Sequence, residues 1–179
     1  MKSNDITIEG RVIQFTDVHN YSIAVNTMDG NHSGFLQDMY ERLGDIIVAH
    51  RGDIISYIGD SILSVYPAGS ENDVIKCSME LRKSFFDLVK EKALPTETEL
   101  EIGIGAGRVE IGIIGHRSLR QRDIFGEVVN QTAMIGHHRG IAITEPVYHS
   151  IKMSYKTVKL PEMKVKWRDE PLKVWEVVE

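Results

Sequence analysis

A chain of 179 residues, 42% hydrophobic and 26% charged, has material for one sizeable core and too little for two. Its net charge of −5 excludes the broad basic face of a nucleic-acid binder, though not a local cationic pocket. A single cysteine, Cys77, excludes a disulfide framework, and the polar start and lack of any long apolar run argue against a signal peptide and a membrane span. The expectation is one cytoplasmic domain over 1–179.

"RVIQFTDV" (11–18) alternates apolar and polar residues and predicts a strand ending at Asp17. Helical spacing of Phe35, Leu36, Met39, Tyr40, Leu43, Ile46 and Ile47 predicts an amphipathic helix over 33–49. "RGD" (51–53) reads as a turn into a hairpin, "YIGDSILSVYP" (57–67), whose two strand-forming runs flank Gly59-Asp60. A second helix is expected over 72–92, with Asn72 as its N-cap. "LEIGIGAGRVEIGIIG" (100–115) predicts two strands joined around Ala106-Gly107, and "HRSLRQR" (116–122) a charged connection. "DIFGEVVNQTAMIGHHRG" reads as a strand end, a glycine turn and a helix. "IAIT" is a strand, and "EPVYHSI" a short helix with Pro146 near its start. Two further strands are expected at roughly 154–160 and 171–178. Hairpins imply antiparallel pairs, so the expected class is α+β: a ferredoxin-like, mainly antiparallel sheet flanked by helices.

In such a sheet the first strand lies beside the hairpin, which brings Asp17 and Asp60 to one edge. Adjacent carboxylates repel unless a cation sits between them, and oxygen-only ligands suit magnesium or manganese. On the pattern alone, both remain readable as ordinary turn aspartates.

Three segments carry more. "FTDVHNYS" (15–22), "GDIISYIGDSILSVYP" (52–67) and "RDIFGEVVNQTAM" (122–134) occur in the order and at the separation found in class III nucleotidyl cyclases. The chain from about Arg11 onward resembles the catalytic domains of this adenylate and guanylate cyclase family. The resemblance implies that Asp17, Asp60 and the Val18 carbonyl hold two divalent cations, Mn2+ or Mg2+. It places Phe15 against the nucleotide and the backbone N–H groups of His19, Asn20, Tyr21 and Ser22 at the phosphates. Asn130 would orient the ribose, and Lys166 would bind phosphate. It also implies a head-to-tail homodimer, in which Asp17 and Asp60 of one subunit face Asn130, Asp123 and Lys166 of the other. The substrate would be a nucleoside triphosphate, with neither nucleic acid nor membrane as partner.

Two positions depart from the family pattern. The lysine of its "KxxGD" words, which reads the purine, falls on Ser56, where guanylate cyclases carry glutamate. Ser56 is too short for either part, and Tyr57 beside it belongs to the opposite face of the strand. Met134 stands where the family has the arginine that steadies the α-phosphate, with Arg139, Arg120 and Arg122 as candidate replacements. The segment between Met134 and Gly140 is also shorter than usual, implying a remodelled helix. Asp123 of the base pocket is kept. Short domains with a rebuilt pocket resemble the bacterial pyrimidine cyclases of anti-phage defence, which make cyclic UMP or cyclic CMP. That reading comes first; adenylate cyclase and a non-catalytic nucleotide-binding dimer are the alternatives. Elsewhere, His137 and His138 read as a surface loop, since adjacent residues diverge. "HRSLRQR" reads equally as a funnel for polyanions or as plain solvated surface. Trp167 and Trp175 read as packing residues, and Cys77 has no partner for nucleophilic or redox work.

Overall fold

Strand β1 (Thr7–His19) runs through the middle of the sheet and sends its side chains alternately to two different environments. Val12 and Val18 enter one apolar cluster, Ile13 and Phe15 another. The structure is a computed structural model describing residues 6–28, 30–151 and 153–178. The first five residues of the polar N-terminus lie outside the described residues.

After β1 come a short helix α1 (Tyr21–Val25) and α2 (His32–Ala49), then the hairpin of β2 (Asp53–Ile58) and β3 (Ser61–Pro67). Helix α3 (Glu71–Glu91) leads into β4 (Glu99–His116), which folds back as β5 (Leu119–Phe125). The chain continues through α4 (Glu127–Ile135), β6 (Ile141–Thr144), α5 (Glu145–Ile151), β7 (Thr157–Lys159) and β8 (Val174–Val177). The sheet order is β2-β3-β1-β4-β6-β8-β7, with β5 paired to β4. Every pairing is antiparallel except β4 with β6. Its first half, β4-β1-β3-β2 with α2 and α3, is the expected ferredoxin-like unit, and the fold is α+β as anticipated.

Helix α2 buries Phe35, Met39, Leu43 and Ile47, a strict four-residue stripe, against the sheet. Helix α3 adds Val74, Cys77, Leu81, Phe85 and Leu88 to the same cluster. Its charges agree with its dipole, with Glu71 and Asp73 in the first turn and Lys90 in the last. Beneath these helices the fully buried Gln14 accepts the Tyr66 hydroxyl at 2.8 Å and donates to Ser78 at 2.8 Å, so this polar group in the core is paired. The other face carries only α4, whose Val128 packs on Ile13, Val65, Val109 and Ile111. That lightly covered face carries Asp17. None of the described helices is long and apolar enough to cross a membrane.

Three expectations need correction. Residues 100–115 do not form two strands: β4 runs unbroken past Ala106-Gly107. Gly103, Gly105 and Gly107 line one face, where added Cβ atoms would meet α4; at Gly107 the Val128 side chain would be 3.2 Å away. The glycine stripe is a helix seat, which at the level of pattern looks like a turn. The real hairpin is β4–β5, so "HRSLRQR" is mostly strand rather than connection, turning at Arg117-Ser118. Helix α3 begins at Glu71 after Ser70, two residues earlier than an Asn72 cap allows, and the Asn72 side-chain oxygen is buried without a partner.

Candidate active site

Asp17 lies near the end of β1, with β3 on one side and β4 on the other. The pairing of Thr16 with Ile62 places Asp17 beside Ser61, and therefore beside Asp60 in the β2–β3 turn. That turn is a two-residue loop with Gly59 at φ 61°, a conformation that favours glycine and leaves Asp60 as the second loop residue. The Tyr40 hydroxyl donates to the Gly59 carbonyl and pins the turn to α2. The Ser61 hydroxyl donates to Asp17 Oδ1. The backbone N–H groups of Asp60 itself and of Val18 face the Asp60 carboxylate. Burial pushes the Asp60 carboxyl above the usual carboxylate range; these two N–H donors oppose that shift, and the charge of Asp17 adds to it. The two aspartates thus converge, and their mutual repulsion is what a bound cation relieves.

The residues expected from the sequence to face a nucleotide fall as follows. Phe15 shares the face of Asp17 and lies in the cluster under α4. Asn20 takes a left-handed conformation, φ 60°, and turns the chain from β1 into α1. The N–H groups of Tyr21 and Ser22 then occupy the first turn of α1, where no intrahelical acceptor exists. His19 holds Glu101 through Nδ1 at 2.8 Å. Ser56 pairs with Leu63 beyond a bulge at Ile55, whereas Tyr57 stacks on Tyr40 with ring centroids 4.1 Å apart. The two residues therefore diverge, and Tyr57 belongs with α2.

Asn130 is exposed on α4, and Lys166 is exposed between β7 and β8. Asp123 Oδ1 accepts the N–H of Ile124 at 2.8 Å. Among the described residues, no hydrogen bond or ion pair joins any of these three to Asp17 or Asp60. Met134 packs with Ile135, Val174 and Met163 in an apolar cluster. Of the candidate replacement arginines, Arg139 is engaged with Glu99 and Arg122 with Asp53, while Arg120 is exposed on β5.

Two residues were missed. Glu101 sits directly across from Asp17 on β4 and is 4% exposed, and burial raises its carboxyl above the usual range. His137 is not a plain surface residue: its Nδ1 lies 2.9 Å from Asp17 Oδ2, and its ring meets Phe15 edge-on at 5.8 Å. His138 does turn away, toward Glu176. The alternation of "LEIGIG" set Glu101 on the face opposite Leu100, Ile102 and Ile104, where an acid reads as outward, and nothing local marked His137.

The fold has close counterparts. Solved structures superpose over nearly the whole chain. The adenylyl cyclase CyaB from P. aeruginosa matches with a TM-score of 0.88 at 17% identity, covering 98% of this chain and 96% of that one. The guanylyl cyclase Cya2 matches with a TM-score of 0.83 at 19% identity, covering 96% and 92%. In sequence, an adenylate cyclase of Anabaena cylindrica is 25% identical over 180 residues, covering 92% of this chain and 36% of that protein. Adenylate cyclase 1 of Rhizobium meliloti is 22% identical, covering 92% of this chain and 27% of that protein. The chain thus spans about a third of the length of these relatives. The family profile described as "Adenylate and Guanylate cyclase catalytic domain" matches residues 6–177. With matching sequence and fold over that whole span, the chain belongs to the adenylate and guanylate cyclase catalytic domain family.

Proposed function

We propose that the chain is a nucleotidyl cyclase that converts a nucleoside triphosphate, UTP or CTP by preference, to its 3′,5′-cyclic monophosphate and pyrophosphate. The observation that carries this reading is the convergence of Asp17 and Asp60, 43 positions apart in sequence, on the lightly covered face of a cyclase fold. Their oxygens, with the Val18 carbonyl, suit Mg2+ or Mn2+. When bound, such ions lower the pKa of the ribose 3′-hydroxyl and offset the charge of the leaving pyrophosphate. The chain's own residues do the positioning. Tyr21 and Ser22 offer first-turn N–H groups to the phosphates, beside His19 and Asn20. Phe15 walls the site. Asn130 orients the ribose so that the 3′-oxygen meets the α-phosphorus in line as the bond to the β-phosphate oxygen breaks.

Asn130, Asp123 and Lys166 reach the metal edge from a second copy in a head-to-tail homodimer. Support for that lies in the lack, among the described residues, of any hydrogen bond or ion pair joining them to Asp17 or Asp60 within one protomer; of the guanylyl cyclase domains among the structural relatives, one is described as a non-canonical dimer and one as monomeric. Ser56 supports the pyrimidine preference: a hydroxyl replaces the long side chain that reads a purine, and Asp123 can accept the N3–H of uracil or the amine of cytosine. The adenylate cyclases among the relatives favour ATP as the second reading. A second messenger made from UTP or CTP would fit a defence role of the kind seen in pyrimidine cyclases.

Incubation with ATP, GTP, CTP and UTP separately, each with Mn2+, followed by mass spectrometry, tests the proposal. Cyclic UMP or cyclic CMP as the main product supports it, cyclic AMP supports the second reading, and no product from any of them leaves a nucleotide-binding module. Asp60→Ala is expected to lower turnover at least about a hundredfold, the scale of losing a metal that stabilises transition-state charge.

A further inference from the structure

Asp17 presents its two oxygens to different neighbours. Oδ1 accepts from Ser61 on the Asp60 side, whereas Oδ2 lies 2.9 Å from His137 Nδ1. Glu101 sits across from Asp17 on β4 with a side chain only 5% exposed. One donor atom from each of Asp17, Glu101 and His137 lies within 4.8 Å of the other two. Two carboxylates opposed on neighbouring strands repel; His19 Nδ1, 2.8 Å from Glu101, and His137, 2.9 Å from Asp17, each offset part of that, and both carboxylates keep lone pairs for an ion.

His137 is held in place by close backbone packing. A Cβ on Gly136 would come within 2.6 Å of Phe15 Cδ1, and one on Gly103 within 2.7 Å of the Gly136 nitrogen. The Gly136 N–H donates to Thr132 at 3.0 Å and that of His138 to Ile135 at 3.1 Å, so the turn on both sides of His137 is bonded back to α4. The imidazole is 58% exposed while Asp17 is 17% exposed, which gives an ion a route from solvent on the nitrogen side.

We propose that Asp17, Glu101 and His137 form a mixed nitrogen–oxygen site for a first-row transition-metal dication, distinct from the position that Asp17 shares with Asp60. The imidazole supplies the selectivity, because Mg2+ takes oxygen donors whereas nitrogen donors suit later first-row ions such as cobalt, nickel and zinc. Donors 2.9 Å apart match neighbouring ligands on an ion whose bonds are about 2.1 Å long. The inference rests on the reading of Asp17 as a metal ligand and on no step of nucleotide turnover.

The test titrates the nucleotide-free full chain with Co2+, followed by its visible d–d absorption, and with Mg2+, followed by calorimetry. Wild type is compared with His137→Ala, His137→Gln, Glu101→Gln and Asp60→Asn, each checked for fold by circular dichroism. Expected are a Co2+ affinity lowered at least about tenfold in both His137 variants and in Glu101→Gln, with Mg2+ binding unchanged in the His137 variants. Asp60→Asn keeps the Co2+ band. Equal Co2+ affinity and spectrum in wild type and the His137 variants overturn the proposal, as does loss of the band in Asp60→Asn. His137-dependent Co2+ binding by a chain that makes no cyclic nucleotide supports this site and counts against the proposed function, so the two fail separately.

Discussion

At Asp60, the proposed function and stability pull in opposite directions. Burial, with Asp17 nearby, raises its carboxyl in the folded protein, so the folded state holds that proton more tightly than the unfolded chain does. The stability associated with this group is fully present below the unfolded carboxylate value and is lost as pH rises through the folded value. At neutral pH the metal-free protein therefore carries an unfavourable charge at this position. Asp60→Asn is expected to melt at a higher temperature than wild type at pH 7 without divalent ions. The gap should narrow as pH is lowered toward the ordinary carboxylate range or as Mn2+ is added. Thermal melts across that pH range check it, and a lower melting temperature for Asp60→Asn at pH 7 would remove the electrostatic argument.

Among the elements, β4 and α4 depend on each other most closely. Gly103 faces the α4 carbonyl of Thr132 and the nitrogen of Gly136, both backbone atoms that cannot rotate aside. Gly103→Ala is expected to cost about 1–3 kcal/mol, the range for overpacking a tight core, and to displace the turn that carries His137. Chemical denaturation measures the first effect, and weakened Co2+ binding the second. Gly103 also shows where local patterns stop. The alternation of 100–115 correctly gave strand, yet the glycines within it suggested a break, because a missing Cβ says nothing about whether the freed space is used by a turn or by another helix. The α2 stripe, Phe35, Met39, Leu43 and Ile47, was legible because its spacing has one physical meaning.

For the whole molecule, the proposed division of labour between two copies makes a sharp demand. The lightly covered face leaves Ile113 56% exposed, apolar surface suited to a second copy. If each site takes Asp60 from one subunit and Asn130 from the other, Asp60→Ala and Asn130→Ala are each inactive alone and complement when mixed. Random exchange at equal amounts gives about a quarter of wild-type activity, since half the dimers are mixed and each holds one intact site. Mixing that restores nothing would place both residues in one chain's own site. Sedimentation at the assay concentration supplies the matching oligomeric state.

Sequence alone determined the alternation and helical stripes that set the α+β class, and the three segments that mark the family, because each is a local pattern with a local cause. It also brought Asp17 and Asp60 to one edge, since a strand's end and a hairpin turn have predictable places in this sheet, and the family resemblance rather than the pattern gave them a metal-binding reading. Only the tertiary structure decided that Glu101 and His137 join Asp17. Strand register sets Glu101 opposite it, and the glycine contact between β4 and the end of α4 sets the imidazole beside it. Neither relation exists until residues far apart in the chain are packed together.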